Sequence, residues 1–166
     1  MNTAIQRAAI VFRHPTVTDA GRIWRLVRDS GRLDPNSSYC YLLLCRYYSG
    51  TCLVAEREGE LVGFVTSFLS PQDPANVFVW QIAVSPTAQG QGIATSLLQR
   101  LMELPVYRHA KRVEATVSPT NISSRRLFEA FARRRGARLA ISNDGFPAAL
   151  FPEPGHEDEP LIQISF

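Results

Sequence analysis

Apolar residues recur along this chain first with the alternation of strands and then with the spacing of helices, and the clearest switch falls between residues 77 and 102. Val77 to Val84 is apolar on both alternating sets except at Gln81, as in a strand covered on both faces. Beyond Pro86, the residues Ile93, Leu97, Leu98, Leu101 and Met102 return at helical spacing, with Gln99, Arg100 and Glu103 between them. One stripe of that helix therefore faces a core. Pro105 closes it.

The same reading covers the remainder. Ile10 to Arg13 is a short opening strand before Pro15, and Thr18-Asp19 caps a helix reaching about Ser30, with Ile23, Trp24 and Val27 inward. Asp34 to Tyr41 is richer in polar and aromatic groups than a connector needs, and a helix is expected from Ser37 or Ser38. Cys52 to Glu56 and Leu61 to Phe68 flank Arg57-Glu58-Gly59-Glu60, a hairpin with glycine in its turn. Pro71 to Pro74 reads as a loop. Val113, Ala115 and Val117 mark a further strand, and Ser123 to Arg135 a helix buried through Leu127, Phe128 and Phe131, with Gly136 as its C-terminal cap. Arg138 to Ser142 is a sixth strand, Asp144 to Pro147 a turn, Glu153 to Pro160 a polar connection, and Leu161 to Phe166 a last strand with Ile162 and Ile164 on one side. The class is α/β: a twisted mixed sheet of about seven strands with helices on both faces.

Composition narrows the function. A chain of 166 residues, 45% hydrophobic and 20% charged, suits one globular domain over residues 1–166. Residues 1 to 10 lack the charged front and apolar core of a secretory leader, and no apolar run is long enough to span a bilayer, so a cytoplasmic protein without a membrane partner is expected. Cys40, Cys45 and Cys52 are odd in number and lack C-x-x-C spacing, which argues against a disulfide framework or a metal site and for buried packing. The net charge of +3 is modest, and Glu157-Asp158-Glu159 shares the chain with the basic helix near Arg125. No nucleic-acid partner is expected.

The chemistry lies in the turn before the central helix. Gln89-Gly90-Gln91-Gly92-Ile93-Ala94 brings backbone N–H groups to a helix start with no side chains in the way, a geometry that receives phosphate oxygens. It lacks both the Lys-Ser/Thr ending of a P-loop and the three-glycine dinucleotide spacing. Here the chain resembles the GNAT superfamily of N-acetyltransferases, whose signature Gln/Arg-x-x-Gly-x-Gly/Ala is matched by Gln89, Gly92 and Ala94. The resemblance implies acetyl-CoA as cosubstrate. The amides from Gln89, Gly90, Gln91 and Gly92 to Ile93, Ala94 and Thr95 would hold its pyrophosphate, and the strand backbone at Ile82, Ala83 and Val84 its pantetheine arm. Asn121, opening the next helix, matches the family's Asn and either contacts that arm or serves as an ordinary cap, and the resemblance places Ser124 and Phe128 of the same helix at the cofactor too. Position 128 departs from the family pattern, in which a tyrosine protonates the departing thiolate. Phe128 has no proton to give, but a thiol with a pKa of about 8.5 leaves tolerably without help.

The attacking amine must be neutral, and an alkyl ammonium near pKa 10 needs a base. The chain offers His156 with Glu159, Asp34, or Tyr39 or Tyr41 acting through water. By composition, Glu157 to Glu159 would equally suit a solvated acidic loop. Three stretches, Leu33-Asp34-x-Asn36-Ser37-x-Tyr39-x-Tyr41-Leu42-Leu43-Leu44, Phe78-Val79-Trp80-Gln81 and His156-Glu157-Asp158-Glu159, are similar to the L-2,4-diaminobutyrate acetyltransferases of ectoine biosynthesis.

That similarity implies a homodimer, with the C-terminal strand as its expected interface, that acetylates the γ-amine of L-2,4-diaminobutyrate. Such a substrate needs an anion site and a carboxylate for ammonium. Asp34 would hold an ammonium, Ser37 and Ser38 the carboxylate, with Tyr39 and Tyr41 alongside. Trp80 forms either an apolar wall, if Phe78 and Ile82 share its side, or plain core. Glu159, beside His156, would stand near the reactive amine, and an N–H near Ala83 or Val84 would meet the oxyanion as the amine attacks directly in a ternary complex. A GNAT enzyme for another amine (a polyamine, an aminoglycoside or a protein N-terminus) and a non-catalytic acetyl-CoA-binding module remain the alternatives.

Overall fold

The computed structural model describes residues 8–166, so the reading of residues 1 to 10 as lacking a leader falls largely outside the described residues. The strands are β1 (Val11–Arg13), β2 (Leu53–Arg57), β3 (Glu60–Ser70), β4 (Asp73–Val84), β5 (Arg112–Thr116), β6 (Arg138–Phe146) and β7 (Glu159–Ser165). The helices are α1 (Ala20–Ser30), α2 (Ser38–Tyr47), α3 (Ile93–Met102) and α4 (Ile122–Arg135). The sheet runs β1-β2-β3-β4-β5-β7-β6, antiparallel throughout except where β4 meets β5.

Each face of the sheet carries its own core. On one side α1 and α2 bury Ile23, Val27, Tyr41 and Leu44 against Val54 and Phe64. On the other, Leu97 and Leu101 of α3 with Phe128 and Phe131 of α4 cover Val65, Val77, Val113, Ile162 and Ile164. Leu26, absent from the expected inner face of α1, is buried too, while Trp24 is only half-buried. Among the described residues no helix is long and apolar enough to cross a membrane.

Two features of β4 build the site. It pairs with β5 only from Asn76–Arg112 to Phe78–Glu114, then runs on to Val84 bonded to β3 alone, so β4 and β5 part like a V. At Trp80 the ladder to β3 gains an extra residue, since Thr66 faces Gln81 while Ser67 faces Val79. Such a bulge shifts the alternation. Val77 and Val79 point to the α3/α4 core, as do Ile82 and Val84 beyond the bulge, whereas Trp80 packs on the α1/α2 side. The condition set for Trp80 is thus met by Phe78 but not by Ile82.

Three further expectations are revised. Pro71 to Pro74 is no loop: Ser70 pairs with Asp73 across a two-residue turn, and Pro74 sits in β4 ahead of its pairing with β5, where its missing N–H deprives no ladder bond. Asp144-Gly145-Phe146 is strand rather than turn, with Phe146 opposite Glu159. A Cβ on Gly145 would run into the Glu159 carbonyl and stand 2.8 Å from Leu161 N, so this glycine serves a close approach of two backbones. The last strand begins at Glu159 instead of Leu161 and is bonded on both edges, to β5 and β6, which leaves β6 as the edge strand at this end of the sheet, with β1 at the other. A dimer cannot form by adding a strand to β7.

Candidate active site

The V between β4 and β5 opens into a groove of about 450 Å³. Ser85 N–H donates to Val62 O, so the alternation of an antiparallel ladder turns the N–H groups of Ile82 and Val84 toward the gap rather than toward β3. Ile82, Ala83 and Val84 line one wall, and Gln89, Gly90, Gly92, Ile93, Ala94 and Thr95 form the floor. Gly90 and Gly92 have φ of 73° and 76°, and a Cβ at either would project into open space. Among the described residues the N–H groups from Gln89 to Thr95 find no carbonyl; the next, Ser96, donates to Gly92 O at 3.0 Å. Unpaired amides at a helix start, an opening free of side chains, and Arg126 on the rim fit the pyrophosphate of acetyl-CoA.

Asn121 and Ser124 line the same groove from α4. Asn121 Oδ1 caps the helix by accepting from Ser124 N–H at 3.2 Å, and the residue also lines the groove. Gln91 and Phe128 do not line it. The Gln91 side chain accepts from Arg57 and donates to Thr87 O, and Phe128 is 2% exposed in the α3/α4 core.

At Asn121, Arg32 and Leu33 the groove meets a cavity of about 860 Å³. Its floor is the part of the sheet that α1 and α2 leave uncovered, where the alternation of β4 and β5 exposes Asn76, Phe78 and Trp80 beside Glu114 and Thr116. Phe68 and Phe78, with ring centroids 5.4 Å apart, Phe146 and Phe151 supply apolar wall. Asp34, Glu114 and Glu159 supply carboxylates, and among the described residues Arg32 is the one Arg or Lys in the lining.

The loop from Gly31 to Ser37 roofs the junction of groove and cavity. Trp24 Nε1–H donates to Asn36 O at 3.1 Å, and Gln81 Nε2–H to Asp34 O at 3.1 Å. Gln81 is buried in the middle of the sheet, and Tyr41 OH donates to its Oε1 at 2.9 Å. The loop also reaches across the opening: Arg32 bonds Ser123, and the Asp34 carboxylate lies 3.2 Å from His156 Nε2.

His156 Nδ1 is 2.7 Å from Glu157 O. A carbonyl and a carboxylate only accept, so the bridge is complete only when both ring nitrogens carry a proton. The bond to Glu157 O accordingly raises its pKa, against some desolvation, and Asp34 adds to the rise. The ring stacks on Phe151, with centroids 3.6 Å apart. Glu159 opens β7 beside this pair. Burial pushes its carboxyl above the usual range, and Thr116 and His156 only partly draw it back.

Several expected groups lie elsewhere. Ser37 and Ser38 are exposed at the start of α2 and line none of the cavities, because the helix start turns away from the opening. Tyr39 is 65% exposed on the outer face of α2, and Tyr41, on its inner face, is completely buried. Cys45 and Cys52 are buried outside the site; burial pushes the Cys45 thiol up to about 12 and the Cys52 thiol upward as well. Cys40 is partly exposed rather than buried. The reading of the sequence missed Arg32, Asn76, Glu114 and Thr116. The signal for the last two was present in the alternation of Val113, Ala115 and Val117, which sends Glu114 and Thr116 to the opposite face. Among the described residues, no three His, Cys, Asp or Glu side chains are arranged to hold a metal.

A splayed strand pair, an amide-lined groove at the start of α3 and a carboxylate-lined cavity joined to it define an acyl-CoA-dependent N-acyltransferase. The chain belongs to the acetyltransferase (GNAT) family, whose model matches residues 21–132. It is 46% identical over 155 residues, 93% of this chain and 79% of the relative, to the L-2,4-diaminobutyric acid acetyltransferase of Nocardia farcinica. The enzyme of that name from Marinococcus halophilus is 42% identical over 156 residues, 94% of this chain and 90% of the relative. A solved structure, diaminobutyrate acetyltransferase EctA from Paenibacillus lautus in complex with its substrate L-2,4-diaminobutyric acid and coenzyme A, is 43% identical and aligns with a TM-score of 0.92 over 95% of each chain.

Proposed function

We infer that this chain, a single acetyltransferase domain, transfers the acetyl group of acetyl-CoA to the γ-amine of L-2,4-diaminobutyrate, the acetylation step of ectoine synthesis. The observation that carries the reading is the alignment with the Paenibacillus lautus enzyme, whose complex holds L-2,4-diaminobutyric acid and coenzyme A. The chemistry of the cavity supports it. The substrate brings two amines and one carboxylate, and the lining offers carboxylates for ammonium and one guanidinium, Arg32. Arg32 replaces Ser37 and Ser38 as the group for the substrate carboxylate.

Glu159 takes the proton of the reacting ammonium, since burial raises the pKa of its carboxyl, and His156, when it donates to both Glu157 O and Asp34, has no lone pair to offer. His156 and Asp34 hold the roof over it. The neutral amine then attacks the thioester carbonyl carbon, and the charge growing on its oxygen meets an N–H on the open side of β4, near Val84. The thiolate departs without an acid from position 128. Direct attack accords with cysteines that are buried and hard to ionise. Acetyl-CoA supply assigns the reaction to the cytoplasm, and a homodimer across the free edge of β6 is supported by Ile141 and Phe146, which are 45% and 50% exposed there.

The test is release of CoA thiol from acetyl-CoA with L-2,4-diaminobutyrate, followed by NMR of the product. Acetyl on the γ-nitrogen is expected. Acetyl on the α-nitrogen would overturn the regiochemistry, and faster turnover of a polyamine or an aminoglycoside would overturn the substrate.

A further inference from the structure

Glu114 is a half-buried carboxylate in the large cavity with no cation beside it. Its Oε2 accepts from Asn76 Nδ2–H at 2.6 Å and its Oε1 from Gln163 Nε2–H at 2.7 Å. Among the described residues no Arg, Lys or His pairs with it; Arg112, which shares its face of β5, is engaged by Asp73. Neutral amides orient a carboxylate but leave its charge uncompensated, and such a charge is costly to hold away from water. The neighbouring carboxamide is incomplete as well. Asn76 is 7% exposed and lines the same cavity, and its Oδ1 has no hydrogen-bond partner. Two acceptors side by side, one charged and one orphaned, lack a cationic donor.

Glu114 and Thr116 alternate onto one face of β5, roughly 7 Å apart along the strand. Thr116 adjoins Glu159, so the cavity has two acidic stations, one near the acetyl groove and one deeper along the sheet. The nitrogens of L-2,4-diaminobutyrate are separated by three carbons, so one molecule carries an ammonium for each station. We propose that Glu114 and Asn76 form the receptor for the ammonium that does not react, the α-amino group, and thereby select which nitrogen is presented to acetyl-CoA. The inference rests on the substrate reading above. The two carboxylates then divide the work, Glu159 deprotonating the reacting nitrogen and Glu114 anchoring the other.

The experiment compares L-2,4-diaminobutyrate with 4-aminobutyrate, which lacks only the α-amine. In the wild type, 4-aminobutyrate should compete with a Ki at least about 30-fold above the KM of diaminobutyrate. Glu114→Gln should raise the KM of diaminobutyrate by about 30- to 100-fold while the Ki of 4-aminobutyrate stays within about 2-fold. Asn76→Ala should act in the same direction with a smaller effect. A fall in affinity for both compounds alike would assign Glu114 to the architecture and overturn the proposal. So would a wild-type Ki for 4-aminobutyrate close to the KM of diaminobutyrate, a result that needs no folded variant. If the wild type fails to acetylate diaminobutyrate, the substrate reading falls first and the receptor falls with it.

Discussion

Nε2 of His156 stands 3.2 Å from Oδ2 of Asp34, joining residues 122 apart in the chain across the mouth of the substrate cavity. The contact lasts only while the ring is charged, because Nδ1 already gives its proton to Glu157 O. A histidine whose folded pKa is raised contributes fully below its unfolded value, about 6.5, and the contribution is lost as the pH rises through the folded value. The bridge is therefore closed in mild acid and released in base. Titration of the His156 ring by NMR should give a midpoint above the ordinary imidazole value, and Asp34→Asn should lower it. An unchanged midpoint in that variant would remove the bridge from the mechanism.

Glu159 shifts stability with pH in the same direction, although here it is the neutral form that the fold favours. Burial raises its carboxyl pKa, so between the unfolded and folded values the native state binds the extra proton and stability falls as the pH rises. Its charge is kept at some expense to stability, as expected of a base held for catalysis. Glu159→Gln should lower kcat by about 100- to 10,000-fold, leave acetyl-CoA binding nearly unchanged and leave the melting temperature at pH 7 no lower. The acid limb of kcat/KM should lie above the ordinary glutamate range in the wild type. Wild-type turnover in the variant would remove Glu159 as base.

A residue outside the cavity tunes it. Tyr41 OH donates to Gln81 Oε1, and Gln81 Nε2–H donates to Asp34 O, so the core of α2 fixes the backbone of the roof. Tyr41→Phe leaves the ring packing intact and removes one buried hydrogen bond, at a cost of about 1 kcal/mol. The KM for diaminobutyrate should rise several-fold with kcat little changed. An equal fall in kcat would indicate a direct part for the hydroxyl in the reaction.

How far the sequence exposed this site depended on whether the information was local. The groove was legible because strand, glycine turn and helix start are contiguous from Trp80 to Thr95, and spacing alone orients their amides. The cavity was not, since its lining comes from the roof loop, β3, β4, β5, β6 and β7. The bulge at Trp80 has no marker in composition, yet it decides that Trp80 and Ile82 part company. Gly145 was misread for a similar reason: glycine signals a turn or a close approach equally well, and only the position of Glu159 on the next strand distinguishes them. Ser37, Ser38 and Tyr39 looked suitable by type, but the direction of α2 turns them outward.

Gly92 tests the groove. Its φ of 76° lies in the left-handed region, and its missing Cβ leaves open the space in front of the helix-start amides. Gly92→Val should cost about 1–2 kcal/mol in backbone strain and also obstruct the phosphate position. Acetyl-CoA affinity should fall more than about 100-fold. Gly136, with φ of 61° at the end of α4 and no part in the groove, is the control. Gly136→Ala should lose comparable stability and keep its affinity for acetyl-CoA, as calorimetry on both variants would show.

Phe128 stands where the resemblance to the GNAT superfamily implies an acidic tyrosine, and Phe128→Tyr asks whether the site would use one. The ring is 2% exposed, packed in the α3/α4 core and absent from the groove lining. A hydroxyl added there would be buried without an evident partner, at a cost of about 1–3 kcal/mol. Thiol departure needs little acid help, because the leaving group has a pKa of about 8.5. The variant should therefore show no gain in kcat at any pH between about 6 and 9. It should also melt several degrees lower, since about 1 kcal/mol of instability shifts the melting temperature of a domain of this size by roughly 2–4 °C. A rise in kcat, or a new alkaline limb in the pH profile, would mean that protonation of the departing thiolate limits turnover in this enzyme.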